Sequence, residues 1–259
     1  MERKTWKDRI SYGCYRIIRW LVWLFYPKMK VEGVENLPSE PCLLVANHCK
    51  MNGPITAELY VPGERAIWCA GEMMDWRAVP DYAFADFWSH KPGWCRWFYR
   101  LLSYAITPLS VCVFNHARTI PVWRDGRILT TFRKSVQKLE EGAKVVVFPE
   151  CAERFNTIVN QFQEGFVDIA KLYYKRTKQA LSFVPVYIAP ALRKFIIGYP
   201  ISFCPDAPKE AERRRICDAL MQAITELAAA QPFHTVIPYN NVPKREYPTN
   251  VLQEVSEAN

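Results

Sequence analysis

Polar residues that can do chemistry follow several short apolar runs of this sequence. Asn47 and His48 come directly after CLLVA, Arg124 follows TIPVW, and Glu150 follows VVVFP. A histidine exchanges protons near neutral pH. An arginine guanidinium suits bidentate pairing with phosphate. Because active sites collect at the ends of strands in an α/β sheet, these positions are the candidate site.

The elements that must position these residues follow from hydrophobic periodicity. Apolar runs at 42–46, 66–70, 119–122, 145–148 and 183–188 predict strands. Helical spacing predicts helices from 54, over 128–139, over 162–173 and over 216–227, the last capped by Asp206. Phe195 to Phe203 is predicted as a hairpin around Gly198. This alternation predicts an α/β fold, with a mixed central sheet flanked by helices.

Residues 3–26 are predicted to form an amphipathic helix with arginines, lysines and tryptophans along it. Its longest uninterrupted apolar run, 20–26, is far shorter than the ~20 residues that span a bilayer. A basic, tryptophan-rich helix of this kind is typical of a membrane-interface anchor; packing on its own domain is the alternative. We therefore divide the chain into an interface helix (1–30), an α/β domain (31–231) and an irregular C-terminal tail (232–259).

A second apolar stretch, residues 94–114, is broken by Arg96, Arg100 and Pro108. It is also shorter than a typical membrane-spanning helix. It fits a segment that dips into the membrane interface, the lining of an acyl-chain pocket, or core, and the sequence does not separate these possibilities.

Charge and cysteine content narrow the class of partner. The net charge of +8 favours phosphate-bearing partners such as nucleic acid, anionic lipid or coenzyme A. The absence of zinc-finger spacing and of an aromatic ribonucleoprotein motif argues against nucleic acid. Nine singly placed cysteines predict reduced thiols in a cytosolic setting, and no ligand-spaced cluster predicts a metal site.

Four blocks in order resemble the phospholipid/glycerol acyltransferase superfamily, which includes the lysophosphatidic acid acyltransferases. That family carries Asn-His-x4-Asp, a block ending in Arg, Phe-Pro-Glu-Gly-Thr and a Val-Pro block. The resemblance spans about residues 37–203. The matching residues here are Asn47, His48, Arg124, Phe148, Pro149, Glu150 and Pro185.

The resemblance implies a glycerol-3-phosphate acyltransferase-like fold and direct acyl transfer from acyl-CoA or acyl-carrier protein to a lysophospholipid hydroxyl, without a further cofactor. His48, beside Asn47, matches the general base, and Arg124 and Glu150 match acceptor-binding positions. The implied partners are a lipid acceptor, an acyl thioester and an anionic membrane surface. Together with the interface helix, this predicts a peripheral or monotopic protein on the cytoplasmic face of the cell membrane.

Two positions depart from the family pattern. Gly53 stands where the family has the aspartate that orients the histidine, and disabling such an aspartate in a serine protease costs about 10⁴ in rate. Asn52 is able to orient the ring but not to stabilise its charge as well. After Glu150, Cys151 and Ala152 replace Gly-Thr, and Arg154 offers a positive charge for the acceptor one place later. The carboxylates that remain as substitutes for the aspartate are Glu72, Asp75, Asp86 and Glu150.

Three functions therefore compete. The first is the acyltransferase that depends on His48. The second is a non-catalytic lipid-binding module that kept the fold and lost the dyad, with Gly53 as its main support. The third is a thioesterase or covalent acyltransferase that uses Cys49 or Cys151, which requires a thiol of lowered pKa.

Overall fold

The structure is a computed structural model that describes residues 6–123, 125–154 and 156–251, without the side chains of Lys7 and Arg154. The α-helices in these ranges are α1 (Trp6–Phe25), α2 (Asn52–Tyr60), α3 (Val79–Ala83), α4 (Arg96–Ala105), α5 (Thr107–His116), α6 (Ile128–Glu140), α7 (Asp168–Thr177) and α8 (Lys209–Ala229). The strands are β1 (Lys30–Glu32), β2 (Cys42–Ala46), β3 (Arg65–Ala70), β4 (Thr119–Val122), β5 (Lys144–Val147), β6 (Glu150–Arg154), β7 (Asn160–Phe162), β8 (Ser182–Ala189), β9 (Lys194–Ile197) and β10 (Ile201–Ser202).

Most strands belong to one sheet, in the order β1-β9-β8-β2-β5-β3-β4, with β10 beside β8. Strands β8, β2, β5 and β3 run parallel, as do β1 and β9, whereas β9 and β10 run antiparallel to β8. Strands β6 and β7 form a separate antiparallel pair. Helix α8 packs against β8. The predicted α/β class, with a mixed central sheet and flanking helices, is confirmed.

The central strands are apolar along their whole length because both faces of the sheet are covered. All five residues of β2 are buried, and so are seven of the eight residues of β8. Continuous apolar runs of this kind are typical of parallel strands with cover on both faces. Because β8, β2 and β5 are parallel neighbours, their carboxyl ends lie at one edge of the sheet.

Three local predictions were wrong. Phe162 does not begin a helix: it ends β7, where burial alternates along the strand, and α7 begins at Asp168. Asp206 does not cap α8, whose N-cap position is Pro208 without a side-chain hydrogen bond.

The predicted hairpin around Gly198 does not form either, because β9 and β10 both pair with β8. Gly198 instead allows a close backbone approach. Its N–H donates to the Pro185 carbonyl over 2.8 Å, and an added Cβ would lie 2.9 Å from Cγ of Pro185.

The described chain divides into two compact units, one formed by parts of residues 1–26 and 68–131 and the other by parts of 27–67 and 132–259. In the first unit, α1 packs against α5. His116 of α5 lies with Nε2 2.7 Å from the Ser11 hydroxyl, and its ring contacts Tyr12 and Tyr15. The predicted N-terminal helix is therefore present, and one of its faces packs on its own unit.

The first unit also exposes large apolar side chains. On α1 they are Trp6, Ile10, Tyr12, Ile17, Trp20, Leu21, Trp23, Leu24 and Phe25. Around α4 and α5 they are Trp94, Trp97, Phe98, Leu101, Tyr104 and Leu109. We call these two sets the exposed aromatic surfaces. Within the described ranges no single helix has the length and apolar character to cross a membrane; Gly93–Ala105 and Thr107–His116 meet that test only as a pair, and they are bent by 42°.

Candidate active site

Asn47 ties the end of β2 to the end of β8. Its Nδ2 donates to the carbonyl of Ile188 over 3.1 Å, and its Oδ1 accepts from the Ile188 N–H over 2.7 Å. Nδ2 also lies 2.8 Å from Sγ of Cys49. The side chain is buried, so these bonds satisfy groups that would otherwise be costly to bury. Asn47 therefore fixes the loop that carries His48.

His48 is half-buried at the sheet edge, with aromatic rings packed against it. The edge-to-face contacts are with Phe148, 5.3 Å between centroids, and Tyr239, 5.7 Å. Nδ1 is buried and has no hydrogen-bond partner among the described residues. Burial lowers the pKa of His48 to about 4, with the Lys50 backbone offsetting part of the effect. The imidazole is therefore neutral at physiological pH.

Glu150 is buried, and both of its carboxylate oxygens face backbone amides. Oε1 accepts from the His48 N–H over 2.6 Å, and Oε2 accepts from the Asn160 N–H over 2.8 Å. Burial raises the pKa of Glu150 to about 7, although these two amides favour the charged form. Glu150 thus joins the third sequence block to the backbone of the first block, and among the described residues no carboxylate bonds Nδ1 of His48.

Gly53 permits a close backbone approach that no other residue allows. Its N–H donates to the His48 carbonyl over 3.1 Å. An added Cβ would lie 2.2 Å from that oxygen and 2.9 Å from Cε1 of Phe148. Asn52, at the start of α2, donates from Nδ2 to the Cys49 carbonyl over 3.2 Å. The loop before α2 is tightly wound, with positive φ at Cys49 (47°) and Lys50 (56°).

The other sequence candidates either belong to the first unit or have side chains that the structure does not describe. Arg124 is not among the described residues, and for Arg154 only the backbone is described, in β6. Glu72, Asp75 and Asp86 belong to the first unit, whereas His48 belongs to the second.

The end of β4, just before Arg124, is held by stacking. The Trp123 ring packs against Gly71, where an added Cβ would lie 2.6 Å from the ring. The Arg127 guanidinium lies 3.6 Å from the centroid of the same ring. These two contacts hold the Trp123 side chain next to Arg124 in the second sequence block.

Neither candidate cysteine has the environment of a nucleophile. Cys49 is buried, its thiol donates to the Ile188 carbonyl over 3.3 Å, and burial, reinforced by Glu150, raises its pKa well above the usual value. Cys151 donates to the Gln161 carbonyl over 3.2 Å. A thiol that stays protonated is a poor nucleophile, so the burial of Cys49 disfavours a mechanism that uses this residue. In the described portion of the chain, no three His, Cys, Asp or Glu side chains are grouped to hold a metal ion.

The C-terminal segment, residues 232–251, contributes a residue to the site that sequence reasoning missed. Tyr239 packs on His48. Next to it, Asn240 donates from Nδ2 to the Ala152 carbonyl over 3.1 Å, and farther along Lys50 donates from Nζ to the Tyr247 hydroxyl over 2.8 Å. The sequence signal here, a stretch rich in Pro and Asn, indicates only irregular structure.

No family model matches this chain, and no curated protein is similar to it at a significant level. Among solved structures, it is similar to the crystal structure of the 1-acyl-sn-glycerophosphate (LPA) acyltransferase PlsC from Thermotoga maritima. The two chains are 18% identical, the TM-score is 0.48, and the alignment covers 90% of this chain and 86% of that one.

Proposed function

We propose that this protein is a membrane-associated acyltransferase that moves a fatty acyl group from a thioester to a hydroxyl of a lysophospholipid or related glycerolipid. One observation carries the proposal: three of the four sequence blocks are hydrogen-bonded together at one sheet edge. Glu150 holds the backbone of His48, and Asn47 holds that of Ile188 in the strand that contains Pro185. This arrangement presents a neutral imidazole from a rigid loop.

In the proposed reaction, His48 takes the proton of the acceptor hydroxyl as that oxygen attacks the thioester carbonyl. The carbonyl carbon then releases the thiolate as the C–S bond breaks, and the imidazolium returns its proton to the thiolate sulfur. The donor is acyl-CoA or acyl-carrier protein, and no other cofactor takes part. Arg124 and Arg154 are the proposed partners of the acceptor phosphate, and Glu150 supports the site through the His48 backbone.

The direct test is acyl transfer from radiolabelled acyl-CoA, and separately from acyl-carrier protein, to a panel of lysophospholipids and other lipid alcohols. We expect His48→Ala to lose at least 100-fold in rate, the usual contribution of a positioned base. His90→Ala, at an exposed histidine, is the matched control and keeps full activity. Equal rates for His48→Ala and wild type would eliminate His48 as the base.

The second candidate function is a lipid-binding module without turnover. The observation that favours it is the buried Nδ1 of His48, which no carboxylate in the described chain accepts from. The same assay separates the two functions. A lipid-binding module binds lysophospholipid but forms no product with any of the donors and acceptors tested.

We also propose that the protein docks on anionic membranes through the exposed aromatic surfaces of its first unit. Trp94 and Trp97 are 81% and 70% exposed, and Phe25 is 78% exposed. Arg96 and Arg100 lie on α4 among these rings, each with its guanidinium 5.5 Å from the Phe84 ring centroid. Tryptophan and arginine on exposed helices suit the headgroup layer, and the net charge of +8 favours an anionic lipid surface. The expected location is the cytoplasmic face of the cell membrane.

A further inference from the structure

We propose that Tyr239, carried by the C-terminal segment, is a positioning residue that with Phe148 holds the His48 imidazole in the orientation that a carboxylate would otherwise impose. The inference deepens the proposed function, because it concerns the orientation of the same base. The C-terminal segment, which lies outside the four sequence blocks, thereby contributes to the orientation of the base.

The contacts are those of an aromatic clamp. The His48 ring meets Phe148 at an interplanar angle of 67° and Tyr239 at 84°, with centroids 5.3 and 5.7 Å apart. Both are edge-to-face arrangements within the distance range of favourable ring pairs. Nδ1 has no hydrogen-bond partner in the described chain, and the Lys50 backbone offsets only part of the effect of burial on the imidazole. Packing against the two rings therefore contributes to the orientation of the imidazole.

The clamp and the missing carboxylate have a common origin at Gly53. The backbone of Gly53 lies so close to the His48 carbonyl and to the Phe148 ring that a side chain at this position meets both. With glycine here, Phe148 packs on the imidazole from one strand end, and Tyr239 packs on it from the C-terminal segment.

The C-terminal segment is anchored on both sides of Tyr239, so the ring does not depend on the clamp for its position. Before it, the buried His234 ring bonds the Tyr187 hydroxyl over 2.7 Å. After it, Asn240 bonds the Ala152 carbonyl, and Lys50 bonds the Tyr247 hydroxyl. The backbone N–H of Val242 also donates to the Asn240 carbonyl over 3.0 Å.

The clamp has a measurable electrostatic consequence. The titratable groups around His48 are Glu150 on β6, Cys49 and Lys50 on its own loop, and the Tyr239 phenol on the C-terminal segment. The dominant effect on His48 is burial, which lowers its pKa to about 4. Removing the Tyr239 ring admits water to the imidazole, so the pKa of His48 rises toward the usual histidine value of 6.5.

The test is the protonated fraction of His48 between pH 5 and 8, from ¹⁵N shifts of the histidine-labelled full chain, with the signal assigned by His48→Gln. We expect His48 to stay neutral across this window in wild type, in Tyr239→Phe, and in the control Phe233→Ala, which alters an exposed ring on the same segment. In Tyr239→Ala we expect a titration midpoint above pH 5, whereas Tyr239→Leu, which keeps bulk without a ring, continues to exclude water and shifts less. An unshifted His48 in Tyr239→Ala overturns the proposal, as does an equal shift in Tyr239→Phe.

Kinetics supply a second, separate readout. Where transfer is observed, kcat of Tyr239→Ala falls roughly 10- to 100-fold with little change in KM, and Tyr239→Phe restores it. A rise in KM with kcat unchanged would mean that Tyr239 contributes only to substrate binding, which contradicts a positioning role. Because the ¹⁵N measurement needs no turnover, failure of the acyltransferase function and failure of the clamp are distinguishable.

Discussion

At the scale of single residues, burial shifts the pKa values of His48 and of the neighbouring Glu150 in opposite directions. Burial makes its imidazole reluctant to gain a proton and makes the Glu150 carboxyl reluctant to lose one. Glu150 is nevertheless held by two backbone amides, which suits a structural task in fixing the His48 loop. The site is thus rigid at the backbone and low in charge around the base.

Gly53 yields the first prediction. Restoring the aspartate of the family pattern by Gly53→Asp does not restore activity, because its Cβ collides with the His48 carbonyl. We expect a loss of about 1–3 kcal/mol or more in the free energy of unfolding, as for other overpacked sites, and no gain in transfer rate. Urea unfolding and the acyl-transfer assay measure both. Gly165→Ala, with no atom within 4 Å of the added Cβ, is the control. A faster Gly53→Asp enzyme of unchanged stability would contradict this prediction.

Glu150 yields a prediction on pH. Its pKa of about 7 in the folded state exceeds the usual glutamate value of 4.5, so between these values the folded state holds a proton that the unfolded state has released. This contribution to stability is fully present below pH 4.5 and is lost as pH rises through 7. Glu150→Gln removes the dependence, although it leaves one backbone amide without an acceptor. Between pH 5 and 8, we therefore expect the free energy of unfolding of wild type to fall by on the order of 2 kcal/mol relative to that of Glu150→Gln. Urea unfolding measures this difference. Parallel pH profiles would show that Glu150 is ionised throughout.

At the scale of elements, the C-terminal segment is irregular in secondary structure yet firmly attached. His234 donates from Nδ1 to the Pro232 carbonyl over 2.8 Å, so in its neutral form Nε2 accepts from the Tyr187 hydroxyl. Asn250 accepts from the His234 N–H and donates from Nδ2 to the carbonyls of Ala228 and Gln231. Backbone bonds from Val236 to Pro248 and from Asn250 to His234 pair the two ends of this segment, and the buried side-chain bonds add to them.

The bond between Tyr187 and His234 yields the element-scale prediction. Tyr187→Phe leaves the buried Nε2 of His234 without a donor, which costs about 1–3 kcal/mol in the free energy of unfolding. Tyr199→Phe, at a tyrosine that is 80% exposed, is the control and changes stability little. Amide hydrogen exchange then shows faster exchange in residues 232–251 of Tyr187→Phe. Equal protection of this segment in both variants would mean that the bond does not anchor it.

At the scale of the whole molecule, large apolar side chains are exposed far beyond scattered single residues. They concentrate on α1 and around α4 and α5, all in the first unit, whereas the His48 site is built in the second. A concentration of exposed apolar side chains of this kind is typical of an interaction site. Under the proposed membrane docking, the lipid headgroup layer accommodates the tryptophans and an anionic surface attracts the basic charge.

Vesicle binding yields the whole-molecule prediction. The protein co-floats with vesicles that contain phosphatidylglycerol more than with phosphatidylcholine alone, and 0.5 M salt reduces the difference. The double variant Trp94→Ala, Trp97→Ala binds roughly 10-fold more weakly or worse, because two apolar side chains no longer leave water. Trp76→Ala, at a tryptophan 58% exposed outside these helices, is the control. Equal binding by both variants would exclude α4 from the contact.

The sequence by itself determined the elements with strong local signals. Hydrophobic periodicity is a local property, so β2 and β4 lie at their predicted limits, and α1 and α6 lie where helical spacing predicts them. It also determined which polar residues stand at strand ends, because each follows its apolar run directly. Where pairing competes with periodicity, as at Phe162 and Gly198, the tertiary structure decided the outcome.

Only the tertiary structure decided how the candidate residues meet. Glu150 is 102 positions from His48 in the chain, and the bond between them forms because β2 and β5 are parallel neighbours. Tyr239 reaches His48 from an irregular segment whose course is set by buried bonds to β8 and to the loop after β2. No local pattern encodes such contacts, because they depend on which surfaces come together when the sheet is assembled.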